Sequence, residues 1–308
     1  MGAPTFEEAK LQLNERLHLG RWLQPKHLRR LGFRLLVIYI PITALALVYT
    51  APLIWLVSSS LKPEGQVFEY PPRFIPRSLE WVNYPDALVQ FPFIVTGLNT
   101  VTIVVGVLAG RLLTASLAAY GFARLRFPGR NVLFVLVLTT LMIPYHVILI
   151  PQYLIFRDLG WLNSLKPLIV PAWFGGGAFF IFLLRQFFMT IPREYDDAAR
   201  IDGCGFIRVW WYIILPMSLP ALGAVSIFTL MGEWNDFLGP LIYLNTPDKQ
   251  TLAIAVEQWR RSGIVHGYKH QWNHIMAVST VVTLPPLIVF FFAQRHFIQG
   301  VVISGIKG

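Results

Sequence analysis

The chain has 308 residues, of which 55% are hydrophobic and only 14% charged, with a net charge of +10; soluble domains carry about 25% charged residues. That balance excludes an ordinary soluble globular protein and reads as a membrane protein, whose basic charge reports topology and contact with anionic membrane lipid. No nucleic acid is expected as a partner, because the aromatic residues lie in or beside apolar runs rather than on a soluble basic face.

Residues 1–34 form a basic amphipathic prefix, placed on the cytoplasmic surface of the membrane. No signal-peptide core or small-residue cleavage site precedes Arg34, so the first apolar run reads as an uncleaved anchor. A helix needs about 20 mostly apolar residues to span a bilayer. Runs of that kind fall at 35–61, 91–123, 132–150, 168–184, 217–244 and 275–293. The expected fold is therefore all-α, a polytopic membrane protein with six transmembrane helices over residues 35–308. With the N-terminus inside, sixteen Lys and Arg lie on cytoplasmic segments and nine on external ones, with Arg111 left inside a span. The positive-inside bias then puts both termini in the cytoplasm, although Arg260, Arg261 and Lys269 cluster on the outer side.

Between the spans, residues 62–90 read as an ordered, irregular external segment rich in Pro71, Pro72 and Pro76. A second external loop, 245–273, offers Trp259 and Trp272 as interfacial anchors. Gly175, Gly176 and Gly177 lie inside a span, where close helix packing or a hinge is expected rather than a phosphate cradle. His266, His270 and His274 have helical spacing but no acidic partner, and read as solvated loop histidines, so no metal site is expected. Cys204 is the single cysteine. The sequence holds no phosphate loop, no His-Glu-x-x-His and no Gly-x-Ser-x-Gly element, so no catalytic residues are assigned and the chain is not read as an enzyme.

Polar groups inside spans cost a few kcal/mol each, on the order of 3 for a charge, unless paired or wetted. Glu233 and Asp236, three residues apart on one continuous helix, share a face. With Trp234 and Asn235 they offer the planar polar groups and aromatic surface that a sugar's hydroxyls and apolar face require, and they either line a pathway or pair with a neighbouring subunit. Asn99 and Tyr145, beside helix breaks, are further pathway candidates. Arg111 either snorkels to the headgroups or forms an interior ion pair.

The segment PREYDDAARIDGCGFIRVWWYIILP, residues 192–216, is a charged hairpin set between two apolar spans. Pro192 is placed in the first helical turn with Glu194, Asp196 and Asp197 complementing the helix dipole. Asp202 and Gly203 supply the left-handed stop, and Pro216 opens the next apolar segment. Asp197, Ala198, Ala199 and Gly203, followed by Ile213, Leu215 and Pro216, resemble the EAA loop of permease subunits of binding-protein-dependent ABC importers, with Asp197 where the family usually has Glu. SLAAYGFARLRFPGR, FLLRQFF, EWNDFLGPL and QRHFIQGVVISGIKG are similar to the carbohydrate-uptake, MalG-type class. The resemblance covers roughly residues 35–308.

The resemblance implies an ABC importer transmembrane domain in a bacterial or archaeal cell (inner) membrane, forming half of a heterodimeric sugar pathway with a MalF-type second permease. It further implies an ABC ATPase dimer, which binds the ATP and Mg, and an extracytoplasmic solute-binding protein; the chain itself would carry no cofactor. Coupling to the ATPase would run through the 193–208 hairpin, by Glu194, Asp197, Ala198, Ala199, Asp202 and Gly203, and the C-terminal cytoplasmic tail from Phe297 would reach the same interface. A non-sugar cargo such as glycerol phosphate is an alternative. So is a stand-alone secondary transporter using Glu233, Asp236 and Arg111 as a proton relay.

Overall fold

The computed structural model describes Phe33 and residues 35–266 and 271–305; the prefix 1–34 thus lies, but for Phe33, outside the described residues. Among these residues every regular element is helical. Four helical segments are long and apolar enough to cross a membrane, or six when each of two sharply bent pairs counts as one span.

The first span is α1 (Ile40–Ser60), entered through a π-helical turn at Leu35–Tyr39. A short helix, α2 (Asn83–Gln90), leads to α3 (Phe93–Arg124). At about 1.5 Å per residue α3 is about 48 Å long, well beyond the ~30 Å of hydrocarbon, so its last turns leave the membrane. The third span is bent by 97° between Arg130–Met142 and Tyr145–Asp158. Its two parts are α4 (Arg130–Thr139) and α5 (Tyr145–Asp158). Pro144 causes the break, because it disfavours a helical conformation at Ile143.

The fourth span begins with single helical turns at Lys166–Trp173, breaks at residues 174–177, and resumes as α6 (Ala178–Thr190). All three glycines of the break have positive φ, and a Cβ on Gly176 would lie 2.8 Å from the Ala115 Cβ. The glycine run is therefore both hinge and close contact. Gly106 and Gly110 of α3 receive the other half of this span: added Cβ atoms there would meet Ile169 at 2.8 Å and Trp173 at 2.6 Å.

The hairpin helix α7 (Glu194–Ile201) follows. The next span bends by 79° between Phe206–Met217 and Leu219–Trp234. Its second part is α8 (Leu219–Trp234), succeeded by α9 (Leu238–Tyr243), α10 (Leu252–His266) and the last helix, α11 (Trp272–Gly305). The stretch read as a tail after residue 293 continues this helix to Gly305.

α3 is the centre of the bundle and packs on α6 and α8, while α11 packs on α1, α2 and α8. Ala115, Ala119 and Ala123, spaced four apart on α3, let it approach Leu184, Phe188, Trp210 and Val225 in the largest core. Outside the spans, Lys62 is buried with its Nζ 2.7 Å from the Arg73 carbonyl and 3.9 Å from the Trp55 ring. Burial pushes its ammonium below the ordinary lysine range, against the pull of Glu69. The tryptophans read as interfacial anchors are aromatic partners in the outer cap: Trp259 meets Phe91 at 5.5 Å and Trp272 meets Phe68 at 5.3 Å. Of the three spaced histidines, His274 is buried; His270 and the side chain of His266 lie outside the described residues.

Candidate functional site

Arg111 does not snorkel. Its Nε donates to the Gly176 carbonyl at 3.1 Å, one terminal nitrogen to Thr229 Oγ1 at 3.1 Å, and the other to Glu233 Oε1 at 3.2 Å. The guanidinium also lies 4.4 Å from the centre of the Phe180 ring. One side chain of α3 thus ties the glycine break, α6 and α8 together. Arg111 and Glu233 are only 17% and 18% exposed, so the pair is an interior ion pair within this chain rather than a bond to another subunit. The network satisfies a guanidinium that would otherwise be costly at membrane depth.

The expectation that Glu233 and Asp236 share one helical face is corrected. α8 ends at Trp234, and Asp236 stands in the break before α9, where its Oδ1 accepts the Gly239 N–H at 3.2 Å. Asp236 has no cationic partner among the described residues. The break frees backbone groups that the carboxylate re-satisfies, which is why a charge is tolerated there. Tyr145, at the bend of the third span, is within electrostatic reach of Glu233, Asp236 and Tyr243, so these candidates do converge.

The other candidates do not join them. Asn99 donates to the Asp248 and Gln250 carbonyls at 2.9 and 3.0 Å and fastens the outer loop to α3. Trp234 turns toward α11, donating to the Val282 carbonyl at 3.2 Å, while the exposed Asn235 donates back to the Met231 carbonyl at 2.8 Å.

The hairpin helix starts at Glu194, so Pro192 precedes the N-cap instead of occupying the first turn. It ends in a Schellman motif. Gly203 has φ +82°, its N–H bonds the Arg200 carbonyl at 3.0 Å, and the Cys204 N–H reaches the Ala199 carbonyl at 2.9 Å. Glu194, Asp197, Ala198, Asp202 and Gly203 face outward together with Ile201, which is 87% exposed. Ala199 is buried in the core and leaves that face, which corrects its assignment as a contact residue.

Sequence reasoning missed the strut beneath the hairpin. Arg124, the last residue of α3, pairs with Asp196 at 3.3 Å and donates to the Ile191 carbonyl at 2.7 Å, with both charged side chains almost fully buried. Burial pushes the Asp196 carboxyl above the ordinary carboxylate range, and Arg124 opposes that shift. The available signal was a basic residue closing one span on the same membrane side as an acidic run in the hairpin.

Charge held inside the spans, joined by one long helix to a hairpin that turns its face outward, is the arrangement of a membrane transport subunit. Residues 111–303 match the family model described as "Binding-protein-dependent transport system inner membrane component". The chain is 35% identical over 254 residues to the sn-glycerol-3-phosphate transport system permease protein UgpE of Yersinia pestis, covering 80% of this chain and 88% of that one. It is 31% identical over 274 residues to the arabinooligosaccharides transport system permease protein AraQ of Bacillus subtilis, covering 86% and 92%. A solved bacterial ABC transporter that imports the acidic polysaccharide alginate shares the fold, with a TM-score of 0.76 at 23% identity over 87% of this chain and 97% of that one. The chain belongs to the binding-protein-dependent transport system inner membrane component family. It is a permease subunit of an ATP-driven ABC importer, working with a second permease, an ATPase and a binding protein, and is not itself an enzyme.

Proposed function

We propose that the cargo is a neutral saccharide, passing between this subunit and a MalF-type permease beside Glu233, Asp236 and Tyr145. The relatives' names divide between glycerol phosphate and arabino-oligosaccharides. The charge balance of the intramembrane cluster favours the second. Arg111, the cation of that cluster among the described residues, is committed to Glu233, Thr229 and Gly176, which leaves no free guanidinium there to receive an anionic cargo. A phosphate passing there finds no free cation to replace its hydration, whereas sugar hydroxyls hydrogen-bond to a carboxyl group.

In this reading the outward face of the hairpin docks the ATPase dimer, which binds ATP and Mg, and both termini face the cytoplasm. The apolar side chains along most of Leu36–Ser60, a segment buried within the chain only at Ser58, Ser59 and Ser60, suit lipid and the second permease. The deciding measurement uses the assembled importer in proteoliposomes, following ATP hydrolysis and uptake with a neutral arabino-oligosaccharide and with sn-glycerol 3-phosphate. The saccharide is expected to stimulate both. Stimulation by glycerol phosphate alone would reverse the assignment.

A further inference from the structure

Segment 125–129 links α3 to α4 and turns beside Arg193, and there the surface opens into a cavity of about 550 Å3. Its wall carries Arg126, Arg130 and Arg193 with Phe127, Asn131 and Val132, and no carboxylate. Across this cavity and the adjoining hollow under the hairpin, five arginines face two aspartates, and one of those aspartates is already bound to Arg124. Arg130 is partly engaged by the Leu125 carbonyl at 3.0 Å and Asn131 Oδ1 at 3.4 Å, whereas the side chains of Arg126 and Arg193 make no hydrogen bond or ion pair with any described residue. Among the described residues the positive charge lining these hollows thus exceeds the negative.

We propose that this cavity binds the phosphate headgroup of an anionic phospholipid. Guanidinium groups hold phosphate oxygens through paired, charge-assisted hydrogen bonds. The class of ligand follows from what leaves the cavity. From Val132 onward α4 presents exposed apolar side chains, Val132 at 65%, Val135 at 56% and Leu136 at 55%, so the basic hollow runs directly into an apolar track on a membrane span. A headgroup seated among the arginines lays its acyl chains along that track. A soluble phosphate would use the first feature and not the second. Arg193 is also the N-cap residue of α7, so the bound lipid tethers the hairpin to the bilayer.

The test is native mass spectrometry of the complete importer from nanodiscs of phosphatidylcholine with and without phosphatidylglycerol. The wild type is expected to retain phosphatidylglycerol preferentially. Arg126→Gln with Arg193→Gln lowers that retention by about tenfold or more, given roughly 1 kcal/mol per basic residue at an anionic membrane surface. Arg126→Lys with Arg193→Lys keeps part of the preference, and Arg157→Gln, on the distant exposed end of α5, leaves it unchanged. Equal retention by wild type and the Gln pair overturns the proposal. So does displacement of the lipid by millimolar inorganic phosphate, which would mark a soluble-phosphate site. Loss of the ATPase from the Gln pair in phosphatidylcholine alone would assign these arginines to the ATPase instead.

Discussion

At the scale of one residue, Arg111 dominates the electrostatics inside the spans, held by Glu233, Thr229 and Gly176. Removing one member of a buried ion pair leaves the other uncompensated and costs about 3–5 kcal/mol, whereas replacing both by apolar groups is close to neutral. Arg111→Met is therefore expected to destabilise the assembled importer by about that amount, and Arg111→Met with Glu233→Leu to recover most of the loss, as read from thermal unfolding in nanodiscs. A double variant as unstable as the single would show that the bonds to Gly176 and Thr229, not the charge pair, carry the stability. The sequence already marked Arg111 and Glu233 as residues requiring partners, because their charge is expensive at that depth. It could not show that each is the other's partner, since 122 residues separate them. The break between Glu233 and Asp236 was equally hidden: the three-residue spacing fits a continuous helix, and no proline stands between them to announce the interruption.

The hairpin is the element proposed here as the ATPase dock, and its attachment to the bundle is legible in two unequal parts. The acidic first turn and the Asp202–Gly203 stop are local signals, and the structure contains both the helix and the left-handed glycine that they specify. The Arg124–Asp196 strut is a tertiary contact with no local signature. Asp196→Ala should free the hairpin by leaving Arg124 buried and unpaired, again on the order of 3 kcal/mol. Hydrogen exchange across residues 194–204 would report it as faster opening, with ATP hydrolysis losing its dependence on cargo. Arg124→Met with Asp196→Leu should restore protection; restored protection without restored coupling would separate the mechanical role of the strut from its packing. The two span bends differ in the same way. Pro144 announces the one at 97°, while Pro216 pointed two residues short of the 79° break at Ser218.

Hydropathy made the count of spans and the membrane class readable across the whole molecule, since both follow from composition summed over long windows. Arg260 and Arg261 are the residues that fit the expected topology least, because it puts them on the side where positive charge is disfavoured. Glu257 resolves this locally. It accepts from Arg260 at 2.7 Å and from Arg261 at 2.6 Å, and the two guanidinium groups hold its carboxyl down at about 2. A depressed carboxyl contributes stability that is present above its ordinary value of 4.5 and is lost as pH falls toward about 2. The amide protection of residues 252–261 is therefore expected to persist on mild acidification and to decline only below pH 4.5. Glu257→Gln should remove that dependence, and an unchanged profile in the variant would place the acid sensitivity elsewhere.

Arg111 and Arg124 belong to the same uninterrupted helix, thirteen residues apart, a rise of about 20 Å. One fastens that helix to the charged cluster among the spans and the other fastens it to the hairpin. A stiff rod pinned at both points has no slack in which to absorb a displacement. When the hairpin is pulled, the rod must either carry Arg111 away from Gly176 and Glu233 or drag the glycine break along with it. On the proposed docking of the ATPase at the hairpin, the opening of the pathway and the stroke of the motor would then be one event measured at two places.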